Sequence, residues 1–234
     1  MKTLSIRRLV PPPARLGEFS PLLVSLIVTM ISVQVLEAHR LASSILISIV
    51  LLTGILAVRR ERHVLVATLV LVIPALVVVW ISELSGSTQS LATVVAQSLL
   101  ALYLLFIAVV VMLAVLGHKQ VTPHTVGGAV CVYLLIAFVF AFLYAILEFS
   151  VPGSLDFSGT RIGANNPSMA DTAFPRLLYF SFVTLTTLGY GDILPVSGAA
   201  RSLTISETLA GQLFLAAFIA RLVGSMIVTH RSSS

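Results

Sequence analysis

The residues with the clearest capacity for chemistry stand at 184–192, Thr-Leu-Thr-Thr-Leu-Gly-Tyr-Gly-Asp. Their chemistry lies in the backbone. Gly189 and Gly191 have no Cβ and accept positive φ without a clash. A strand that alternates unusual dihedrals can aim successive carbonyl oxygens to one side. Rings of such oxygens can replace the water shell of a cation. A bare Gly-Tyr-Gly also fits an ordinary glycine turn, so the setting of the stretch has to decide.

The elements that position it follow from hydropathy. The 234 residues are 58% hydrophobic and 10% charged, with a mean hydropathy of +1.07. A soluble domain carries about 25% charged residues, so most of this chain is solvated by lipid. A membrane helix needs about 20 mostly apolar residues. Six runs qualify, at 20–38, 41–58, 64–81 with a kink expected at Pro74, 90–117, 126–148 and 199–229. Residues 1–19 read as a cytoplasmic tail rather than a signal peptide, because the first apolar run begins late and no small-residue cleavage site clearly follows it. The net charge of +5 does not point to nucleic acid: the basic residues sit in short segments between apolar runs, without interleaved aromatics. Cys131 lies inside an apolar run and reads as a small buried residue. No metal-ligand spacing, P-loop or nucleophile elbow is present, which argues against an enzyme.

Lysine and arginine set the orientation. Lys2, Arg7, Arg8, Arg15, Arg59, Arg60, Arg62, Lys119 and Arg231 fall on one side; Arg40, Arg161, Arg176 and Arg201 fall on the other. Nine against four puts both termini in the cytoplasm and 149–198 outside. Within that outer segment, 149–170 is polar and reads as a loop. Residues 175–187 are apolar but too short to span, with Asp171 or Thr172 as a cap and Pro175 in the first turn. A short apolar helix between two spans is a re-entrant candidate. Irregular backbone survives at membrane depth only when buried in protein or lining a watery cavity.

In that setting Thr187-Leu188-Gly189-Tyr190-Gly191-Asp192 resembles the selectivity-filter signature of potassium channels, usually Thr-Val-Gly-Tyr-Gly-Asp. The resemblance covers 126–229. It implies K+ coordinated by the carbonyls of Thr187, Leu188, Gly189 and Tyr190, with the Thr187 hydroxyl as the innermost ring and Gly191 completing the filter. The side chains of Leu188 and Tyr190 would point back into surrounding helices. One filter copy per chain implies a homotetramer in the lipid bilayer. Asp192 would be braced by Tyr179, where many relatives have Trp; the alternative is that Tyr179 only packs as an interfacial aromatic. A glutamate found on this helix in some bacterial relatives is here Val183, so that pairing is absent. Leu188 replaces the commoner valine without changing the carbonyl.

In the last helix, Gly211 matches a hinge glycine of bacterial relatives or serves close helix packing. Gln212, Leu215 and Ile219 match cavity-lining positions at helical spacing. Glu207, an acid inside a span, is expected to pair behind the filter, with the Thr184 hydroxyl as a candidate partner. Arg221 is expected to snorkel to the cytoplasm, with a gate-region role as the alternative.

The layout of six spans resembles voltage-gated channels, yet 90–117 contains no basic residue and the first three runs lack mid-span acids, Glu37 lying at an outer end. Voltage sensing needs such charges, so 20–124 reads as a structural jacket and 125–234 as the pore domain with a short tail. His118, His124 and His230 read as solvated linker residues rather than a pH sensor. No nucleotide- or calcium-binding gating domain is expected after the last helix. The sequence therefore predicts an all-α membrane protein of six transmembrane helices and a re-entrant helix. It would pass K+ with no cofactor and no nucleic-acid partner, in a prokaryotic plasma membrane. A less selective cation channel or a non-conducting subunit of a mixed assembly are the alternatives.

Overall fold

The computed structural model describes residues 19–35, 40–58, 62–85, 91–117, 122–157, 160–161 and 173–231. Outside them lie residues 1–18 of the expected tail, Glu37, Arg59, Arg60, His118, Lys119, the loop 162–170 and the expected caps Asp171 and Thr172. The side chains of Arg40, Arg161, His230 and Arg231 lie outside them too.

Among the described residues the chain forms seven helices: α1 Ser20–Val35, α2 Arg40–Val58, α3 Arg62–Ser85, α4 Leu91–Gly117, α5 Pro123–Ser150, α6 Ala173–Leu185 and α7 Gly198–Arg231. The fold is that of an all-α membrane protein. Five helices, α2, α3, α4, α5 and α7, are long and apolar enough to cross a bilayer. The described part of α1 has 16 residues, about 24 Å at 1.5 Å per residue, and falls short of the roughly 30 Å hydrocarbon core. Of the six expected crossings, five correspond to these helices; the first, 20–38, extends beyond the described end of α1. The helix α3 continues through Pro74 without a break. At the start of α5, Thr122 and Thr125 form a reciprocal capping box ahead of Pro123 in the first turn, which satisfies orphan amides and fixes where the helix begins.

The first four helices pack in sequence, α1 on α2, α2 on α3, α3 on α4, and α2 also meets α4. Some of their polar groups bond between helices. Ser25 Oγ lies 2.7 Å from Thr53 Oγ1, and the Tyr103 hydroxyl donates to the Leu51 carbonyl at 2.6 Å. This group then docks on α5 through α4 and α1. Cys131 is buried at that seam, its thiol facing the Phe19 carbonyl.

A three-stranded sheet, ordered β2-β1-β3, lies beyond the end of α5 and against the start of α7. Its strands are β1 Leu155–Phe157, β2 Thr160–Arg161 and β3 Ile193–Pro195. The expected plain loop at 149–170 is therefore partly a strand platform. Both oxygens of Glu148 hold its first turn, accepting from the Gly153 amide at 2.5 Å and the Leu155 amide at 3.1 Å.

The α2–α4 seam yields a prediction. A Cβ on Gly54 would land on the Tyr103 hydroxyl, and Tyr103 is fully buried, so the ring has no room to yield. Gly54→Ala is expected to lower the melting midpoint in detergent more than Tyr103→Phe does. Overpacking costs about 1–3 kcal/mol, whereas an interhelical hydrogen bond in a membrane averages about 0.6 kcal/mol. Adding Tyr103→Phe to Gly54→Ala should restore part of the loss; strictly additive losses would contradict this packing.

Candidate functional site

The helix α6 inserts between α5, α7 and α1. Its contacts descend along α5: Phe174 packs on Phe142, Phe182 on Phe138, the Ser181 hydroxyl bonds the Ala137 carbonyl, and the Tyr133 hydroxyl donates to the Leu185 carbonyl at 3.1 Å. Its thirteen residues therefore end about 26 Å short of the outer end of α5, counting 17 residues from Tyr133 to Ser150 at 1.5 Å each. From there the chain returns to β3, which pairs with β1 just beyond α5. This is a re-entrant path. At its outer end the Gln34 amide holds the Pro175 carbonyl at 3.0 Å.

The returning segment has an alternating hand. Thr187, Gly189 and Gly191 have φ of 58, 61 and 79°, and among the described residues Thr187 is the sole non-glycine with positive φ. Left-handed backbone is costly for a β-branched residue and persists where surrounding structure imposes it. Here the imposing bonds are Thr187 N to the Thr184 carbonyl at 3.0 Å and Leu188 N to the Val183 carbonyl at 2.9 Å. Alternation of hand turns successive peptide units to one side, forming a row of like dipoles. Among the described residues, the carbonyls from Thr187 to Gly191 accept no backbone hydrogen bond. The Thr187 hydroxyl donates to the Thr186 carbonyl at 2.6 Å, leaving its lone pairs open.

At the outer end of the segment the Tyr179 hydroxyl bonds the Asp192 carboxylate, and the Tyr179 and Tyr190 rings stack at 6.5 Å and 9°. Desolvation first, then the hydrogen bond and the Asp192 and Tyr190 charges, push the Tyr179 hydroxyl up to about 12. It thus remains a donor at physiological pH and is lost as one only in strong alkali. Leu188 and Tyr190 are 55% and 66% exposed. Apart from the Tyr179 ring, one chain does not supply the helices they were expected to brace against.

The structure places Thr184 and Glu207 near the segment but does not join them. Thr184 is buried and its carbonyl receives Thr187 N. Glu207 instead bonds the Ser181 hydroxyl of α6, one turn earlier, and accepts from the Tyr144 hydroxyl of α5 at 2.7 Å. Positions 181 and 184 lie on one face of a helix, and the depth at which α7 crosses α6 selects the former. Four residues further along α7, a Cβ on Gly211 would meet the Leu185 carbonyl oxygen at 2.8 Å. Since α7 is continuous from Gly198 to Arg231, close packing accounts for this glycine. Gln212 and Ile219 are exposed and Leu215 half-buried. Arg221 does not run free to water; its Nη2 donates to the Leu116 carbonyl in the last turn of α4 at 3.1 Å, where the helix dipole favours a cation.

Sequence reasoning missed Ser181, Tyr144, Tyr133 and Glu148. Each is a polar group in an apolar helix, which is the one signal that was available.

Gly211→Ala should lower the melting midpoint of the purified protein by an amount equivalent to about 1–3 kcal/mol, because the opposing atom is backbone and yields only if the end of α6 moves. An unchanged midpoint would show that α6 is not seated on this glycine.

Residues 151–228 match the family described as ion channel. The chain is also similar to the voltage-gated potassium channel Kch of Escherichia coli (strain K12), 45% identical over 49 residues. That match covers 21% of this chain and 12% of the relative, so it speaks for a small part of the longer protein. No solved structure matches. Residues 151–228 are thus similar to the ion channel family, within a chain of several membrane-length helices that also has a stretch similar to a potassium channel.

Proposed function

We propose that four copies of this chain surround a common axis and pass K+ through the segment 187–191, the carbonyls of Thr187, Leu188, Gly189 and Tyr190 replacing the ion's water. The observation that carries this reading is the alternation of left-handed backbone at Thr187, Gly189 and Gly191, at the end of a helix that stops partway down its neighbour. A cation is desolvated by oxygens that are already turned together and need no reorganisation. The C-terminal end of α6, carrying the negative end of its dipole, favours a cation in the same place.

What one chain leaves open supports assembly with further copies around a shared axis. In α7 only 11% of the spanning window is buried. Its exposed positions include Arg201, Ser202, Ser206 and Gln212 as well as Ile205, Leu209 and Leu213. Serine and glutamine are poor partners for lipid tails. They suit a helix that faces other copies and a watery axis, with Gln212, Leu215 and Ile219 toward the cavity. Neighbouring copies would also cover Leu188 and Tyr190.

The relative is named as voltage-gated. In this chain α4 has neither arginine nor lysine, so α1 to α4 act as a jacket around the pore and conduction does not follow voltage in the conventional way. The charge asymmetry of the loops supports a plasma-membrane orientation with both termini inside.

Flux from liposomes with opposed K+ and Na+ gradients tests the reading. Barium-sensitive flux that prefers K+ is expected. Equal flux of the two ions would make this a less selective cation channel, and no flux from correctly assembled protein would make it a non-conducting subunit. In the same preparation Tyr179→Phe, which removes the bond to Asp192, should shorten sustained conduction without altering ion preference. Unchanged kinetics would remove Tyr179 from the support of the segment.

A further inference from the structure

Five oxygen–oxygen contacts run in a chain behind the segment 186–192. The Ala137 carbonyl meets Ser181 Oγ at 2.7 Å, Ser181 Oγ meets Glu207 Oε1, and Glu207 Oε2 meets the Tyr144 hydroxyl at 2.7 Å. The Tyr144 hydroxyl meets Thr204 Oγ1 at 3.3 Å, and Thr204 Oγ1 meets the Ala200 carbonyl at 2.8 Å. Each hydrogen bond needs one hydrogen, and a hydroxyl has one to give. Ser181, Tyr144 and Thr204 supply three. Thr204 gives its hydrogen to Ala200, Tyr144 gives its own to Glu207, and Ser181 gives its own to Ala137. The contact between Ser181 and Glu207 is then left without a hydrogen, two acceptors facing each other. One proton on Glu207 Oε1 resolves it. Every short contact then holds one hydrogen, and the contact left without one is the longest, 3.3 Å.

The surroundings agree with the count. Glu207 is fully buried. Among the described residues, the titratable groups facing it are Tyr144 and Tyr133 of α5; α6 meets it with the Ser181 hydroxyl, and β3, Ile193–Pro195, carries no ionisable side chain. A carboxylate at this depth with hydroxyls alone for company is costly. Glu148 offers the contrast: both its oxygens accept from backbone amides, which supply hydrogens enough.

We infer that Glu207 is a neutral carboxylic acid that ties α7 to α5 and α6 behind the segment 186–192, a positioning residue whose proton holds that segment in its conducting form. The functional half rests on the reading that the segment conducts K+. The protonation half does not. Ser181 and Leu185 of α6 meet Glu207 and Gly211 of α7, each pair four residues along, so the tie fixes both the level and the rotation of α6. Loss of the proton puts a charge against the Ser181 lone pairs and loosens α6. The tie is therefore intact at low and neutral pH and lost as pH rises through the ionisation of Glu207.

Infrared spectra of the purified protein at neutral pH test the proton directly. The difference between wild type and Glu207→Gln should contain the carbonyl stretch of a protonated acid, and Tyr144→Phe should move that band to higher frequency. Absence of the band would overturn the inference. Glu207→Gln keeps one donor and one acceptor, so it should assemble and carry neutral-pH K+ flux within about twofold of wild type. Failure to assemble, or loss of flux in an assembled protein, would contradict the tie. Wild-type flux should fall in alkaline buffer and Glu207→Gln flux should not; a parallel fall in both would overturn the proton dependence. If the wild type carries no flux at all, the functional half fails with the channel reading, and the infrared band still decides the protonation.

Discussion

Backbone polar groups at the depth of a bilayer must be satisfied by protein, water or an ion. The architecture follows from meeting that demand in one short stretch. The helix α6 satisfies its own backbone as far as Leu185, where the Tyr133 hydroxyl takes one of the terminal carbonyls. The next residues leave the helix with alternating hand and a row of carbonyls without backbone partners among the described residues. Such a row is stable only if the end of α6 is held at one depth. Leu185 against Gly211 and Ser181 against Glu207 set that depth from α7, Ala137 and Tyr133 set it from α5, and Gln34 steadies the opposite end from α1.

The outer return of the segment is held by a second device. Glu148 organises the turn after α5, β1 follows it, and β3 pairs with β1 immediately after Asp192. The two ends of the segment are thus anchored to opposite regions of α5, one near Tyr133 and one just beyond Ser150. Tyr179 links the middle of α6 to Asp192 and stacks on Tyr190, so the outward climb is tied to the inward helix along its length. Helices α1 to α4 touch this core through α5, through α1 packed on α6, and through Arg221 with the end of α4.

The segment 184–192 was legible because its information is local: glycines where positive φ is needed, an apolar helix before, an aspartate after. The spans α2, α3, α4, α5 and α7 were legible from hydropathy. Positive φ at Thr187 was not legible, because a β-branched residue disfavours it and only the bonds to Thr184 and Val183 impose it. Nor was the choice of Ser181 over Thr184 for Glu207, since both hydroxyls share a helix face and only the crossing of α6 and α7 separates them. The strands were hidden by their length of two or three residues, too short for an alternating pattern to register. Gly211 could be read as hinge or packing until the Leu185 carbonyl was seen against it.

The central claim is that the carbonyls of Thr187 to Tyr190 form rings around an axis shared by four chains. An experimental structure of the assembled protein, determined with thallium in place of K+ and read by anomalous difference density, tests it most directly. The account predicts four chains and density on the axis at the level of residues 187–190. A well-ordered assembly with no density there, or with the segments facing away from any shared axis, would contradict it.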